Sequence, residues 1–213
     1  LSPARAADVA DPDPNRFAKE IDSFTTWDSK NAVPAEPILF VGSSSTRLWK
    51  TRESFPDLPV INRGFGGSHI SDVVHFADRI VLPYEPRAIV LYAGDNDIGF
   101  GGVSPDCALA DFDAFVEAIR AVAPDVPIYY ISIKPSIARW DQWAEMRLAN
   151  ELIAARTATR PSLHFIDVSQ AMLDEQGEPI EALFNEDGLH LAPAGYALWT
   201  SIVRPVLIAD LSD

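Results

Sequence analysis

The hydrophobic positions of this chain change period several times, and each change marks an element. From Pro14 to Asp28 the apolar residues Phe17, Ile21, Phe24 and Trp27 recur every three or four places, which lays them on one face of a helix. Five short apolar runs follow, each bounded by turn residues: Ile38 to Val41, Val60 to Ile61, Ala88 to Tyr92, Ile128 to Ile133 and Leu163 to Ile166. Runs of this length rich in Val, Ile and Tyr read as strands. Between and after them the helical period returns, predicting helices over Ile70 to Leu82, Ala108 to Val122, Trp140 to Ala155 and Pro193 to Leu207.

Strands alternating with helices of ten or more residues are the pattern of right-handed crossovers and a parallel sheet covered on both faces. The expected fold class is therefore α/β, a three-layer α/β/α sandwich around a five-stranded parallel sheet. At 213 residues, without an internal repeat or long linker, residues 14–213 are expected to form a single domain. Residues 1–13 read as a flexible leader. Within it Ala4-Arg5-Ala6 before Ala7 has the form of a signal-peptidase site, without the apolar segment that should precede one. Export and a cytoplasmic location both stay open.

Charge and cysteine content narrow the partners. Acidic residues outnumber basic ones 31 to 17, for a formal charge of −14, which repels nucleic acid phosphates and anionic membrane surfaces. No apolar run approaches the roughly 20 residues that span a bilayer, so neither nucleic acid binding nor membrane insertion is expected. The single cysteine, Cys107, excludes an intramolecular disulfide and has no local signature of a catalytic thiol.

Open parallel sheets bind ligands beyond the carboxyl ends of their strands, and that rim is where polar residues gather. After the first strand come Gly42, Ser43, Ser44 and Ser45; after the second, Asn62 to His69 (N-R-G-F-G-G-S-H); after the third, Gly94-Asp95-Asn96-Asp97. Three serines at a strand end suit either a helix cap or a nucleophile. The glycine-rich loop has neither the third glycine of a dinucleotide fingerprint nor the Gly-Lys-Ser/Thr ending of a P-loop. Its glycines instead let a ligand oxygen approach backbone N–H groups closely. Late in the chain Asp187 precedes His190 by three residues, a spacing at which the carboxylate can reach the near ring nitrogen and fix the tautomer, leaving the other nitrogen as a base.

These blocks, Gly42-Ser43-Ser44, Gly67, Gly94-Asp95-Asn96-Asp97 and Asp187 with His190, resemble in order and context the four blocks of the SGNH (GDSL-type) hydrolases, from Phe40 to Tyr196. The stretches N-R-G-F-G-G-S and Y-A-G-D-N-D are similar to the branch of platelet-activating-factor acetylhydrolase subunits. The resemblance implies a flavodoxin-like sandwich and a serine esterase. It implies Ser44 as nucleophile, His190 as general base and then acid, and Asp187 as its orienting partner. It also implies an oxyanion hole made of the Ser44 and Gly67 amides and the Asn96 side chain. One departure stands out: Ser43 occupies the place where the family usually has Asp.

The expected reaction is hydrolysis of a short acyl ester, such as acetyl, on a carbohydrate or aryl alcohol, through an acyl-enzyme. A lysophospholipase or thioesterase is the alternative within the class. A ligand-binding module on the same scaffold is the alternative outside it. Asp95 and Asp97 lack a histidine or further carboxylate at ligand spacing, so no metal and no cofactor are expected. His69 at the rim, and Arg139 and Trp140 after the fourth strand, are candidate substrate contacts, although Trp140 and Trp143, three apart, also suit the first apolar turn of a helix. His75 and His164 read as surface or core residues. The partner is a small-molecule ester, and the oligomeric state stays open.

Overall fold

The apolar runs pair into one sheet. In the computed structural model, which describes residues 12–211, strands β1 (Ile38–Gly42), β2 (Val60–Gly64), β3 (Ala88–Tyr92), β4 (Ile128–Ile131) and β5 (Leu163–Ile166) lie parallel in the order β2-β1-β3-β4-β5. The helices are α1 (Ala18–Asp28), α2 (Ser44–Leu48), α3 (Thr51–Ser54), α4 (Ile70–His75), α5 (Ala77–Ile80), α6 (Asp95–Gly99), α7 (Pro105–Arg120), α8 (Trp143–Thr157) and α9 (Pro193–Leu211).

Side chains alternate across a sheet, and the strands here divide accordingly. Leu39, Val41, Ile89, Leu91 and Tyr130 enter one core with Ile21 of α1, Val73 of α4, Ile80 of α5, Phe115 of α7 and Ile153 of α8. Ile38, Phe40, Val90, Tyr92 and Tyr129 enter the other, closed by Trp49, Phe55 and the α9 residues Trp199, Val203 and Leu207. The protein is thus the three-layer α/β/α sandwich expected, with five parallel strands.

Element ends differ from the periodicity for local reasons. The helix expected over Ile70 to Leu82 breaks at Phe76 (φ −100°, ψ 9°), whose buried ring packs edge-on against Phe65. Past α5, a 3-10 turn over Leu82–Tyr84 carries Pro83, which has no N–H to continue an α-helix. The sheet loses Ile133 because the Asn150 side chain of α8 takes both its N–H (2.7 Å) and its carbonyl (2.9 Å). Trp140 falls in a 3-10 segment, Ile137–Gln142, ahead of α8. At the other end of its range α7 begins early, at Pro105, behind a Ser104 hydroxyl that caps the Cys107 N–H. The leader expected over residues 1–13 lies, through residue 11, outside the described residues.

Sheet order and register together set up a rim. The chain builds β1 and β2 on one side, then crosses back to build β3, β4 and β5 on the other, so the reversal falls between β1 and β3. Gly42 pairs level with Gly64 on one side and with Tyr92 on the other. The loops after β1, β2 and β3 therefore leave the sheet at one height. They are tied sideways as well: the Ile70 N–H at the start of α4 donates to Asp97 Oδ1 in α6 at 2.9 Å.

Two predictions follow from these ties. At Gly42 φ is +128°, and a Cβ would stand 1.8 Å from the Tyr92 carbonyl oxygen, so Gly42→Ala should cost on the order of 3 kcal/mol or more. A denaturation curve within about 1 kcal/mol of wild type would contradict this. Asp97 is fully buried, and desolvation raises its pKa to about 7 against the Ile70 and Asp97 backbone N–H groups, with the negative charges of Asp111 and Asp95 adding to the rise. Because the folded state then holds this proton where the unfolded chain has released it, Asp97 withdraws stability as pH rises from about 4 to about 7. The Tm difference between Asp97→Asn and wild type should therefore move in the variant's favour between pH 5 and pH 8; parallel Tm curves would show that Asp97 does not titrate in this window.

Candidate active site

Of the three serines after β1, the fold exposes one. Ser43 and Ser45 are each 1% exposed, while Ser44, first residue of α2, is half-buried with its hydroxyl at a cleft. The turn that arranges this begins at Gly42 and is pinned by the Ser43 N–H, which donates to the Tyr92 carbonyl at 2.9 Å. The Ser43 hydroxyl has no hydrogen-bond partner among the described residues. Tyr196 of α9 steadies the far side, donating its hydroxyl to the Ser45 carbonyl at 2.9 Å.

The histidine arrives on a loop that its own aspartate shapes. Phe184 and Leu191 form an antiparallel bridge, and the residues between them fold so that Asp187 Oδ1 accepts the N–H groups of Leu189 and His190, each at 2.9 Å. The other carboxylate oxygen, Oδ2, then meets His190 Nδ1 at 2.6 Å. With Nδ1 engaged, Nε2 faces Ser44 Oγ at 3.1 Å. The hydrogen bond from His190, reinforced by the two backbone N–H groups, overcomes slight desolvation and holds the Asp187 carboxyl at about 2. Asp187 therefore stays charged at neutral pH. A donating Nδ1–H, an accepting Nε2 and a hydroxyl in line are the parts of an activated nucleophile.

Candidate donors line the same cleft. Among the described residues neither the Ser44 nor the Gly67 N–H has an acceptor. Gly67 has φ +81°, with open space where a Cβ would be, so the backbone faces the cleft without a side chain in the way. Asn96 Nδ2 donates one N–H to the Ser68 carbonyl at 3.0 Å, and the side chain lines the cleft. The cleft encloses about 400 Å³ between Glu20, Ser44, Arg47, Gly66, Gly67, Asn96, Leu189 and His190.

The five residues Ser44, Gly67, Asn96, Asp187 and His190 thus come together. The other three candidates do not line the cleft. His69 is 2% exposed, sits at the N-cap of α4, and donates its backbone N–H to Asp72 Oδ2 at 2.8 Å. Trp140 stacks on Trp143, ring centroids 6.1 Å apart. Arg139 turns inward to Asp95 and Asn96. His75 is exposed, and His164 stacks half-buried on Tyr129. Conversely, Glu20, Arg47 and Leu189 line the cleft without having been singled out. Arg47 lies one helical turn from Ser44, a spacing that could have flagged it; Glu20 comes from α1, and no local pattern links it to the rim.

Comparisons with known proteins show what the chain is similar to. Platelet-activating factor acetylhydrolase IB subunit alpha1 from Bos taurus and from Homo sapiens are each 26% identical over 192 residues, 87% of this chain and 80% of theirs. A structure from Streptococcus pneumoniae named for platelet activating factor superposes with a TM-score of 0.81 at 22% identity, covering 90% of this chain and 93% of its own. A family 3 carbohydrate esterase from Clostridium thermocellum superposes with a TM-score of 0.67 at 17% identity, covering 84% and 98%. A family model described as GDSL-like Lipase/Acylhydrolase matches residues 22–198, a span holding all five strands and every residue of the cleft but Glu20. The chain belongs to the GDSL-like lipase/acylhydrolase family, a family of serine-type carboxylic ester hydrolases.

Proposed function

We propose that the protein hydrolyses short acyl esters, acetyl esters foremost, of polar alcohols such as sugars, with Ser44 as nucleophile. The observation that carries the reading is the unbroken line from Asp187 Oδ2 through the His190 ring to Ser44 Oγ at the floor of the cleft.

In this reading His190 Nε2 takes the Ser44 proton as Oγ bonds to the carbonyl carbon. The carbonyl oxygen becomes an oxyanion facing the Ser44 and Gly67 N–H groups and the Asn96 amide. Donors fixed in advance stabilise that charge without reorganising, and loss of one typically costs roughly 10²–10³ in rate. The imidazolium, stabilised by Asp187, returns its proton to the leaving alcohol oxygen as the C–O bond breaks. Water then enters, gives its proton to Nε2 and displaces Oγ, and His190 protonates Ser44 as the acid leaves. Net, one water and one ester become an acid and an alcohol.

The size and lining of the cleft support the choice of substrate. A chain of methylenes gains about 0.8 kcal/mol per group buried, yet Leu189 is the one sizeable aliphatic side chain in the lining. Arg47 and Glu20, with the Arg47 Nε 3.8 Å from the carboxylate, offer donors and acceptors to an alcohol instead. The names of the acetylhydrolase relatives and of the carbohydrate esterase point the same way. A second reading has an observation of its own. An apolar groove of about 850 Å³ runs between the α2–α3 segment and α9, walled by Trp49, Leu191, Pro193 and Tyr196. A lysophospholipase or thioesterase could lay a long chain there. The groove shares no lining residue with the Ser44 cleft, which places this reading second.

The test is kcat/KM over aryl esters of about two to twelve acyl carbons, with Ser44→Ala as control. Efficiency should peak at acetyl to butyryl, because added methylenes soon leave the lining, and Ser44→Ala should abolish it. A steady rise to the long end would favour the groove reading; full activity in Ser44→Ala would overturn the serine mechanism.

A further inference from the structure

An oxyanion donor supplied by an amide side chain has a weakness that a backbone N–H lacks. The two ends of the amide are nearly the same shape, and a half-turn replaces a donor with an acceptor. If Asn96 is to stabilise negative charge, as the reading above requires, something must forbid that half-turn.

Arg139 does so. Its Nη2 donates to Asn96 Oδ1 at 2.9 Å, while the Ser68 carbonyl accepts from Nδ2 at 3.0 Å. A donor at one end and an acceptor at the other dictate the same orientation, and the remaining N–H is left for the cleft. Arg139 is in turn gripped by Asp95, through the backbone carbonyl at 2.8 Å and through carboxylate Oδ1. The second carboxylate oxygen accepts from Lys134 Nζ and from the Tyr92 hydroxyl, the latter at 3.1 Å. Burial pushes the Asp95 carboxyl up, but the Lys134 and Arg139 cations outweigh it and keep it ionised.

The setting argues against a role in stability alone. Lys134 is 1% exposed and Arg139 12%, and both are turned to one buried carboxylate, that of Asp95. Buried ion groups are a poor source of stability, since desolvation offsets their attraction. The stem of Arg139 also has its path kept clear: a Cβ on Gly99 would lie 2.4 Å from Arg139 Cδ. The same segment reaches the histidine loop, where the Ala138 N–H donates to the Gly188 carbonyl at 3.0 Å.

We propose that Arg139 is a positioning residue for the oxyanion donor Asn96, and that Lys134 and Asp95 serve to hold Arg139 against it. The inference rests on the serine-hydrolase reading of the site. Arg139→Met should lower kcat for an acetyl aryl ester about 10- to 100-fold with KM within about threefold, because the interaction acts on charge present only at the transition state. Asn96→Ala should lower it further, by roughly 10²–10³. The double variant should be no slower than Asn96→Ala, since with the amide gone there is nothing left to position. Arg139→Lys, which keeps a cation for Asp95 but not the fork, should fail to restore kcat. Gly99→Ala, which displaces the Arg139 stem while leaving the network residues unchanged, should reduce kcat in the same direction and carries the test should Arg139→Met not fold. Wild-type kcat in folded Arg139→Met or in Gly99→Ala, full activity in Arg139→Lys, or losses that multiply in the double variant would overturn the proposal. An active Ser44→Ala would instead overturn the reading beneath it.

Discussion

The contact on which the rest of the site depends is the approach of Gly42 to the Tyr92 backbone, at the carboxyl ends of β1 and β3. No side chain fits between them, and the glycine turns through φ +128° to send the chain into α2. Ser43 N–H closes the turn on the Tyr92 carbonyl, and the next residue is Ser44. Because Gly42, Gly64 and Tyr92 are level in the sheet, the same height delivers Gly67 and Asn96 to the cleft that Ser44 lines. A hydrogen-bonded sheet is stiff, so three loops that are separate in sequence inherit one reference plane. Only His190 comes from elsewhere, and its loop carries its own template in the Asp187 carboxylate.

Beneath this rim the protein buries charge in two different ways. Asp95 is matched by two cations and a hydroxyl and stays ionised in the core. Asp97, two residues on, accepts the Ile70 N–H but is desolvated by its burial, and this, with the charges of Asp111 and Asp95 adding to it, raises its pKa. The pair of aspartates on α6 thus divides the work of the segment. Asp95 organises the side that presents Asn96, whereas Asp97 ties α6 to the start of α4 and so to the loop that carries Gly67.

Much of this was legible in the sequence because it is local or periodic. Apolar runs gave the strands and with them the rim to search, and within that rim the resemblance to the SGNH hydrolases singled out Ser44, Gly67 and Asn96. Asp187 and His190 were legible because three residues separate them. What was not legible depends on contacts between distant parts of the chain. Arg139 read as a candidate substrate contact; its commitment to Asn96, 43 residues earlier, appears only when β3 and β4 lie side by side. His69 read as a rim residue because it follows the glycine-rich loop, yet capping α4 draws it into the core. Glu20 reaches the cleft from α1, which precedes the sheet altogether.

The central claim is that geometry makes Ser44 alone, of three adjacent serines, the nucleophile. A serine-directed phosphonate should therefore modify the protein once, and fragmentation of the labelled peptide by mass spectrometry should place the adduct on Ser44. Replacement of His190 by alanine should suppress the labelling, since the hydroxyl is a weak nucleophile without its base. An adduct on Ser43, Ser45 or a residue outside the cleft, or undiminished labelling without His190, would contradict the account.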